Sequence, residues 1–254
     1  MLPKTSSTYL LVSHGSRDPR PQIATAQLAE LVAQQLKTVG ELQPLVKTAV
    51  LDCAPTPLHQ QIQVFAQEAR ALRELQGLDP THLRISVIPL FLIPGVHVVE
   101  DIPAEVAIAQ QFLGDSIVLK ICPYLGTDTT LYELLTPATQ SAAKTGCVLM
   151  SHGSRRAGGN SPVEAIATHL KALPAYWSVT PSLETQVSNL VAQGCEEIDI
   201  LPYFLFEGGI TDAIAQTVAQ LNQKFPATHL KMTETLGANP VLATHIVNLI
   251  SYNF

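Results

Sequence analysis

The sequence is poor in paired cysteines, in basic charge and in long apolar runs. Its four cysteines, Cys53, Cys122, Cys147 and Cys195, stand alone with no CxxC spacing. That pattern argues against an iron–sulfur cluster, a thiolate zinc site and a disulfide framework, and reads as small buried hydrophobes. Lysine and arginine number 15 against 21 acidic residues, a net charge of -6, which excludes the basic stripe of a nucleic-acid binder. No run approaches the ~18 consecutive apolar residues of a membrane span, and MLPKTSSTYLLVSHG has neither the length nor the cleavage pattern of a secretory signal. The expected location is the cytoplasm or an organelle stroma, with no membrane partner. Neither GxSxG nor the phosphate-loop pattern GxxxxGKS/T occurs.

What is present is a repeat. SHGSR stands at 13–17 and again at 151–155, each time directly after an apolar run, YLLV at 9–12 and CVLM at 147–150. An apolar run ending in a histidine and small residues reads as a buried strand that stops at the rim of a sheet, where ligands reach its last side chains. The duplication continues in order: VIPLFL at 87–92 is echoed by ILPYFL at 200–205, Pro57-Leu58 by Ser182-Leu183, and Leu125-Gly126 by Leu236-Gly237. Units this long are domains rather than solenoid repeats, and 254 residues divide into two halves of about 125, near the commonest domain size.

Hydropathy predicts strands at 8–13, 45–51, 83–91 and 117–121, alternating with helices at 21–38, 57–75 and 102–112 and closed by a helix near 128–136. The cycle then repeats with strands at 146–151, 175–179, 197–204 and 229–233 and helices at 161–172, 182–193, 211–224 and 239–251. Such alternation implies an α/β chain of two tandem domains, each a parallel sheet flanked by helices. The expected domains are 1–136 and 145–254, joined by a linker at Thr136 to Thr145. Pro57 and Pro162 sit where a first helical turn begins, and Gly194 follows a helix end.

The strand ends of the first half carry His14, Asp52 and, after the third strand, His97 followed by Glu100 and Asp101. Two imidazoles with a carboxylate and no thiolate suit borderline divalent first-row metals such as Fe, Co, Ni or Zn. Taken singly, His14 could be a hydrogen-bonded structural residue and Asp52 a turn cap before Pro55. The second half keeps His152 opposite His14 but offers Ile210 opposite His97 and Trp177 opposite Asp52. It is therefore expected to be a degenerate copy, a structural wall of the cleft, with His152 a relic or a substrate contact.

At these residues the chain resembles the sirohydrochlorin chelatases, class II tetrapyrrole chelatases that insert Fe2+ or Co2+ into sirohydrochlorin. The resemblance lies in LLVSHGSR, in VLDCAPTPL and in VIPLFLIPGVHVVEDIP, and the second half with VLMSHGSR and ILPYFLFEGG is similar to the second copy of the long, two-domain form. It implies a chelatase-like α/β fold in each half, no prosthetic group, a divalent metal as substrate, and His14 and His97 as the residues that bind it or accept protons. Asp52 stands where the family usually has glutamate, one methylene longer, so it acts as ligand, through water, or with Glu100 in its place. No histidine-rich or cysteine-rich appendage is seen, which tilts the expectation to iron and sirohaem over cobalt and cobalamin.

Metallation strips water from the ion, removes two pyrrole protons and moves the ion from protein to macrocycle. Neutral imidazole both binds metal and, once freed, accepts a proton. Few protein ligands hold an ion weakly enough to release it, whereas a closed cage traps it. The catalytic set expected is His14, His97 and Asp52, with Asp52 or Glu100 orienting an imidazole. If the macrocycle is sirohydrochlorin, its eight carboxylates call for arginine. Arg17, Arg20 and Arg155 are expected contacts, with Ser13, Gly15, Ser16, Gly95, Glu100 and His152. Internal duplication implies a monomer. A non-catalytic metal or tetrapyrrole carrier would use the same residues, and a phosphate-dependent enzyme would read SHGS as a phosphate loop.

Overall fold

In the computed structural model, which describes residues 7–80, 82–135 and 144–251, the apolar run Tyr9 to Val12 forms the heart of β1 (Thr8–Ser13). Each of its four side chains is at most 1% exposed. Burial on both faces is the condition of a central strand in a parallel sheet covered by helices. β1 pairs in parallel with β2 (Leu45–Val50) on one side and β3 (Leu83–Pro89) on the other, and β4 (Ile117–Ile121) extends β3, giving the order β2-β1-β3-β4. β5 (Thr145–Ser151), β6 (Leu173–Tyr176), β7 (Glu197–Pro202) and β8 (His229–Met232) repeat it as β6-β5-β7-β8.

The helices are α1 (Pro19–Thr38), α2 (Leu58–Leu75), α3 (Ile102–Leu113), α4 (Ser161–His169), α5 (Leu183–Ala192), α6 (Gly209–Lys224) and α7 (Pro240–Ser251). In the first sheet Leu10, Val12, Ile85 and Val87 pack with Ile62 and Phe65 of α2 and Val106 of α3. In the second, Val148, Met150, Ile198 and Ile200 meet Val187 of α5 and Ile214 and Val218 of α6. Pro57 is the N-cap of α2, Pro162 lies in the first turn of α4, and Gly194 follows α5 with φ +86°. Among the described residues no helix is long and apolar enough to cross a membrane.

All four edge strands are closed by an amide side chain from a neighbouring helix. Gln61 bonds both N–H and C=O of Val50, Gln110 accepts from Leu119 N and donates to Ile117 O, Asn222 does the same for Leu230, and Gln186 donates to Pro174 O. Each satisfies backbone groups that an open edge would present to another chain. Replacing Gln110 with alanine orphans two of them, and denaturant unfolding should show a loss of about 1–2 kcal/mol.

The structure departs from the sequence reading in several places. The segment read as a helix near 128–136 forms two short 3-10 turns, Leu125–Thr127 and Leu131–Leu134, and most of the expected linker, 136–143, lies outside the described residues. The two compact units also divide elsewhere than 1–136 and 145–254. One is Met1–Asp128 with Ala238–Phe254, the other Thr129–Gly237. The cause is α7, which packs on α1 instead of on its own half. Its stripe Leu242, Ala243, Ile246, Val247 and Ile250 is at most 2% exposed, and His245 donates from Nδ1 to Asp128 Oδ2 at 2.7 Å. Finally, Cys53 is exposed rather than buried. Cys122 is buried as expected, Cys147 and Cys195 are half-buried, and burial pushes the Cys122 and Cys147 thiols up, Cys147 to about 12.

Candidate metal centre

In a sheet ordered β2-β1-β3-β4 the chain leaves β1 to one side and returns to the other, so the crevice beyond the ends of β1 and β3 is the topological switch point. The three chemically active side chains of the first half collect there. His14 follows the last residue of β1. Backbone bonds Leu51 N to Ser13 O (2.9 Å) and Asp52 N to His14 O (2.8 Å) zip the loop after β2 against it. This close approach puts the short Asp52 side chain within reach of the site although it lacks a methylene. Gly15, at φ +93°, makes the approach possible: a Cβ there would stand 1.9 Å from Asp52 O. Cys53, also left-handed at φ 60°, turns the chain away, and Gln61 holds the same loop at Thr56 O.

His97 arrives on a π-helical turn, His97–Asp101, that leads directly into α3, closed by Ile102 N to His97 O. Such wide turns recur at functional sites. Here the turn stacks Asp101 against His97, whose Nδ1–H donates to Asp101 Oδ2 at 2.7 Å. His14 Nδ1–H donates to Gly15 O at 3.1 Å. With both Nδ1 atoms engaged, each ring keeps its Nε2 lone pair for a ligand, an assignment made from the partners. The rings meet edge to face with centroids 4.7 Å apart, and Phe91 lies 6.4 Å from His14 and 6.1 Å from His97.

One ligand atom from each of His14, Asp52 and His97 lies within 4.8 Å of the other two. His14 Nε2 is 3.9 Å from Asp52 Oδ2, too long for a hydrogen bond and short enough to share an ion. Ligands of one first-row ion stand roughly 3–4 Å apart, given bonds of about 2.0–2.2 Å, so modest rotation of these partly exposed side chains closes the set. Three protein donors on an open rim leave coordination positions for water or an incoming ligand.

The other sequence-assigned residues fall at varied distances from this chemistry. Glu100 is exposed, and the carboxylate that orients an imidazole is Asp101, not Glu100 or Asp52. Ser16 Oγ accepts from Asp18 N, and Asp18 caps α1 by accepting from Arg20 N. The guanidinium of Arg20 also grips the Asp18 carboxylate (2.6 Å), which holds that carboxyl below its usual range, so much of the Arg20 charge is compensated locally. Arg17 and Arg155 are exposed and make no ion pair among the described residues. Ser13 serves the backbone link, and Gly95 leaves open space above its Cα.

In the second half His152 repeats the geometry of His14, its Nδ1–H donating to Gly153 O at 3.0 Å. The strand register shows that Ser178, not Trp177, stands opposite Asp52, since Ser178 N bonds His152 O at 2.9 Å. The absence of a carboxylate there still holds. Asp101 as partner of His97 and Phe91, tilted beside both rings, were missed from sequence. The H-x-x-x-D spacing was the available signal for the first; nothing in the letters marks the second.

Comparison with known proteins follows the same lines. The profile of the CbiX family matches residues 8–142 and 146–252. A sirohydrochlorin cobaltochelatase of Priestia megaterium is 24% identical over 253 residues, covering 93% of this chain and 76% of that protein. A sirohydrochlorin cobaltochelatase of Methanosarcina acetivorans is 26% identical over 139 residues, 52% of this chain and 94% of that protein. Among solved structures, the sirohydrochlorin chelatase SirB from Bacillus subtilis subspecies spizizenii in complex with cobalt superposes with a TM-score of 0.70 at 20% identity, covering 97% of this chain and 94% of that one.

Proposed function

Because the chain belongs to the CbiX family, we propose that it is a sirohydrochlorin chelatase, inserting Fe2+ or Co2+ into the macrocycle at His14, His97 and Asp52. The observation that carries the reading is the convergence of two imidazoles and one carboxylate within 4.8 Å at the switch point, each ring held by its Nδ1. A closed cage of four ligands would trap the ion, whereas an open, three-donor, partly exposed set can give it up.

The protein's part in the reaction then follows from its groups. His14, His97 and Asp52 replace some of the water of the incoming ion and hold it at the rim. As the ion passes to the pyrrole nitrogens, the freed Nε2 atoms become bases for the two departing N–H protons. Asp101, bonded to Nδ1 of His97, stabilises the imidazolium that forms and fixes the ring plane. Arg17 and Arg155 are available for macrocycle carboxylates, and Arg20 contributes less because Asp18 engages it. The fused halves stand in for two chains, in keeping with a relative matched almost entirely by half of this one, so a monomer is the working form we assign.

The test follows the macrocycle absorption spectrum with Fe2+, Co2+ and Ni2+ side by side. The protein should accelerate insertion of Fe2+ or Co2+ above the uncatalysed rate, and the faster of the two assigns the metal. Saturable binding of metal and sirohydrochlorin with no acceleration would favour the carrier instead.

A further inference from the structure

Asp52 and His97 reach the rim on segments that run into helices. The loop with Asp52 enters α2, and the π turn with His97 enters α3. How closely these two donors approach therefore depends on how the first turns of α2 and α3 are held to each other. Further along, the two helices meet in the apolar core that contains Ile62, Phe65, Val106 and Ala109. At their first turns the link is polar. Glu105 Oε2 accepts from the backbone N–H of His59 and from its ring Nδ1–H, both at 2.8 Å.

One carboxylate oxygen thus does two things. α2 starts at Pro57, which has no capping side chain, and His59 is the second residue of the helix, so its N–H finds no partner inside α2. Glu105, 46 residues away in sequence, supplies the missing cap, and the helix dipole favours its negative charge at that end. The ring bond ties the His59 side chain to the same atom. With the two side chains only 22% and 24% exposed, water and salt screen this pair less than an ion pair on the open surface. Its neighbours in the chain are the groups that set the site. Glu105 lies one turn beyond Asp101, which holds the His97 ring, and Gln61, two residues beyond His59, holds Thr56 O in the loop that follows Asp52.

We infer that His59 and Glu105 are positioning residues for the metal set: their clasp fixes the approach of the Asp52 loop to the His97 turn and so keeps the carboxylate and the imidazole on one ion. The inference rests on the proposed metal site at His14, His97 and Asp52, and on no assumption about the macrocycle.

The experiment titrates Co2+ onto wild-type protein and variants and records the visible spectrum of the bound ion, which reports its donors and their geometry. Glu105→Leu should weaken Co2+ binding by about tenfold and shift that spectrum. Glu105→Gln keeps an acceptor for both N–H groups and should return the affinity to within about threefold of wild type. His59→Phe removes the ring bond and leaves the backbone cap. It should shift the spectrum in the same direction, and it carries the test where Glu105→Leu protein does not fold. Gln110→Ala, which loosens the other end of α3 from β4, is the control for stability alone: it should lower the denaturant midpoint and leave Co2+ affinity and spectrum as in the wild type. Folded Glu105→Leu or His59→Phe protein with wild-type Co2+ affinity and spectrum overturns the inference, and so does an equal loss of Co2+ binding in Gln110→Ala. Wild-type protein that binds no Co2+, or binds it no better than His14→Ala protein does, overturns the metal site first, and the two failures are thereby told apart.

Discussion

His97→Ala is expected to leave the protein folded and reduce metal insertion by at least about a thousandfold, since it removes both an ion-binding donor and a proton acceptor. The fold should survive because the His97 side chain is 38% exposed and its bonded partner Asp101 is 44% exposed. Neither belongs to the core that Ile102 and Val106 build one turn later. The measurement is the change in macrocycle absorption on adding Co2+, beside a direct titration of Co2+ onto the protein. Asp101→Leu separates the two functions of the histidine. It keeps the Nε2 donor while freeing the ring and withdrawing the charge that steadies the imidazolium, and should lower the rate by about 10–100-fold. Asp101→Asn retains an acceptor at the same place and should recover part of that loss. Wild-type turnover in His97→Ala protein would remove the chemistry from this site.

How much of this was legible in the letters depends on the range of the interaction concerned. The strands that end in SHGSR were readable because a central parallel strand is buried on both faces and is written as an unbroken apolar run, as in Tyr9 to Val12 and Val148 to Met150. Strand-end placement then brought His14, Asp52 and His97 to one rim by topology alone. The π turn was not readable. Its five residues, His97-Val-Val-Glu-Asp101, have no pattern that distinguishes it from an ordinary first helical turn, yet the turn decides that Asp101 and not Glu100 meets the imidazole. The misplacement of Trp177 opposite Asp52 has a similar origin. The second half is shorter between its first two strands, and only the ladder pairing Ser151 with Tyr176 fixes the count. The destination of α7 was hidden for a different reason. Its apolar stripe announces that the helix must be covered, but α1 and the helices of its own half present equivalent stripes, and the buried His245–Asp128 pair that ties it to the first unit joins residues far apart in sequence.

Gly15→Ala is expected to cost several kcal/mol and to abolish metal binding. Two effects act together. The backbone at φ +93° strains any residue with a Cβ by roughly 1–2 kcal/mol. The second effect is steric, because the added carbon would overlap Asp52 O at 1.9 Å and cannot be relieved by moving a flexible side chain. Relief demands that the loop after β2 withdraw from β1, breaking Asp52 N to His14 O and carrying the Asp52 carboxylate away from both imidazoles. Gly194→Ala isolates the first effect. Gly194 also has a left-handed φ, +86°, but nothing lies within 4 Å of its added Cβ, so the loss should be only about 1 kcal/mol with metal binding intact. Denaturant unfolding and Co2+ titration of the two proteins give the comparison. If Gly15→Ala costs no more than Gly194→Ala and still binds Co2+ as the wild type does, then the contact between the two loops is not what assembles the three-donor set, and the strand ends alone must hold it.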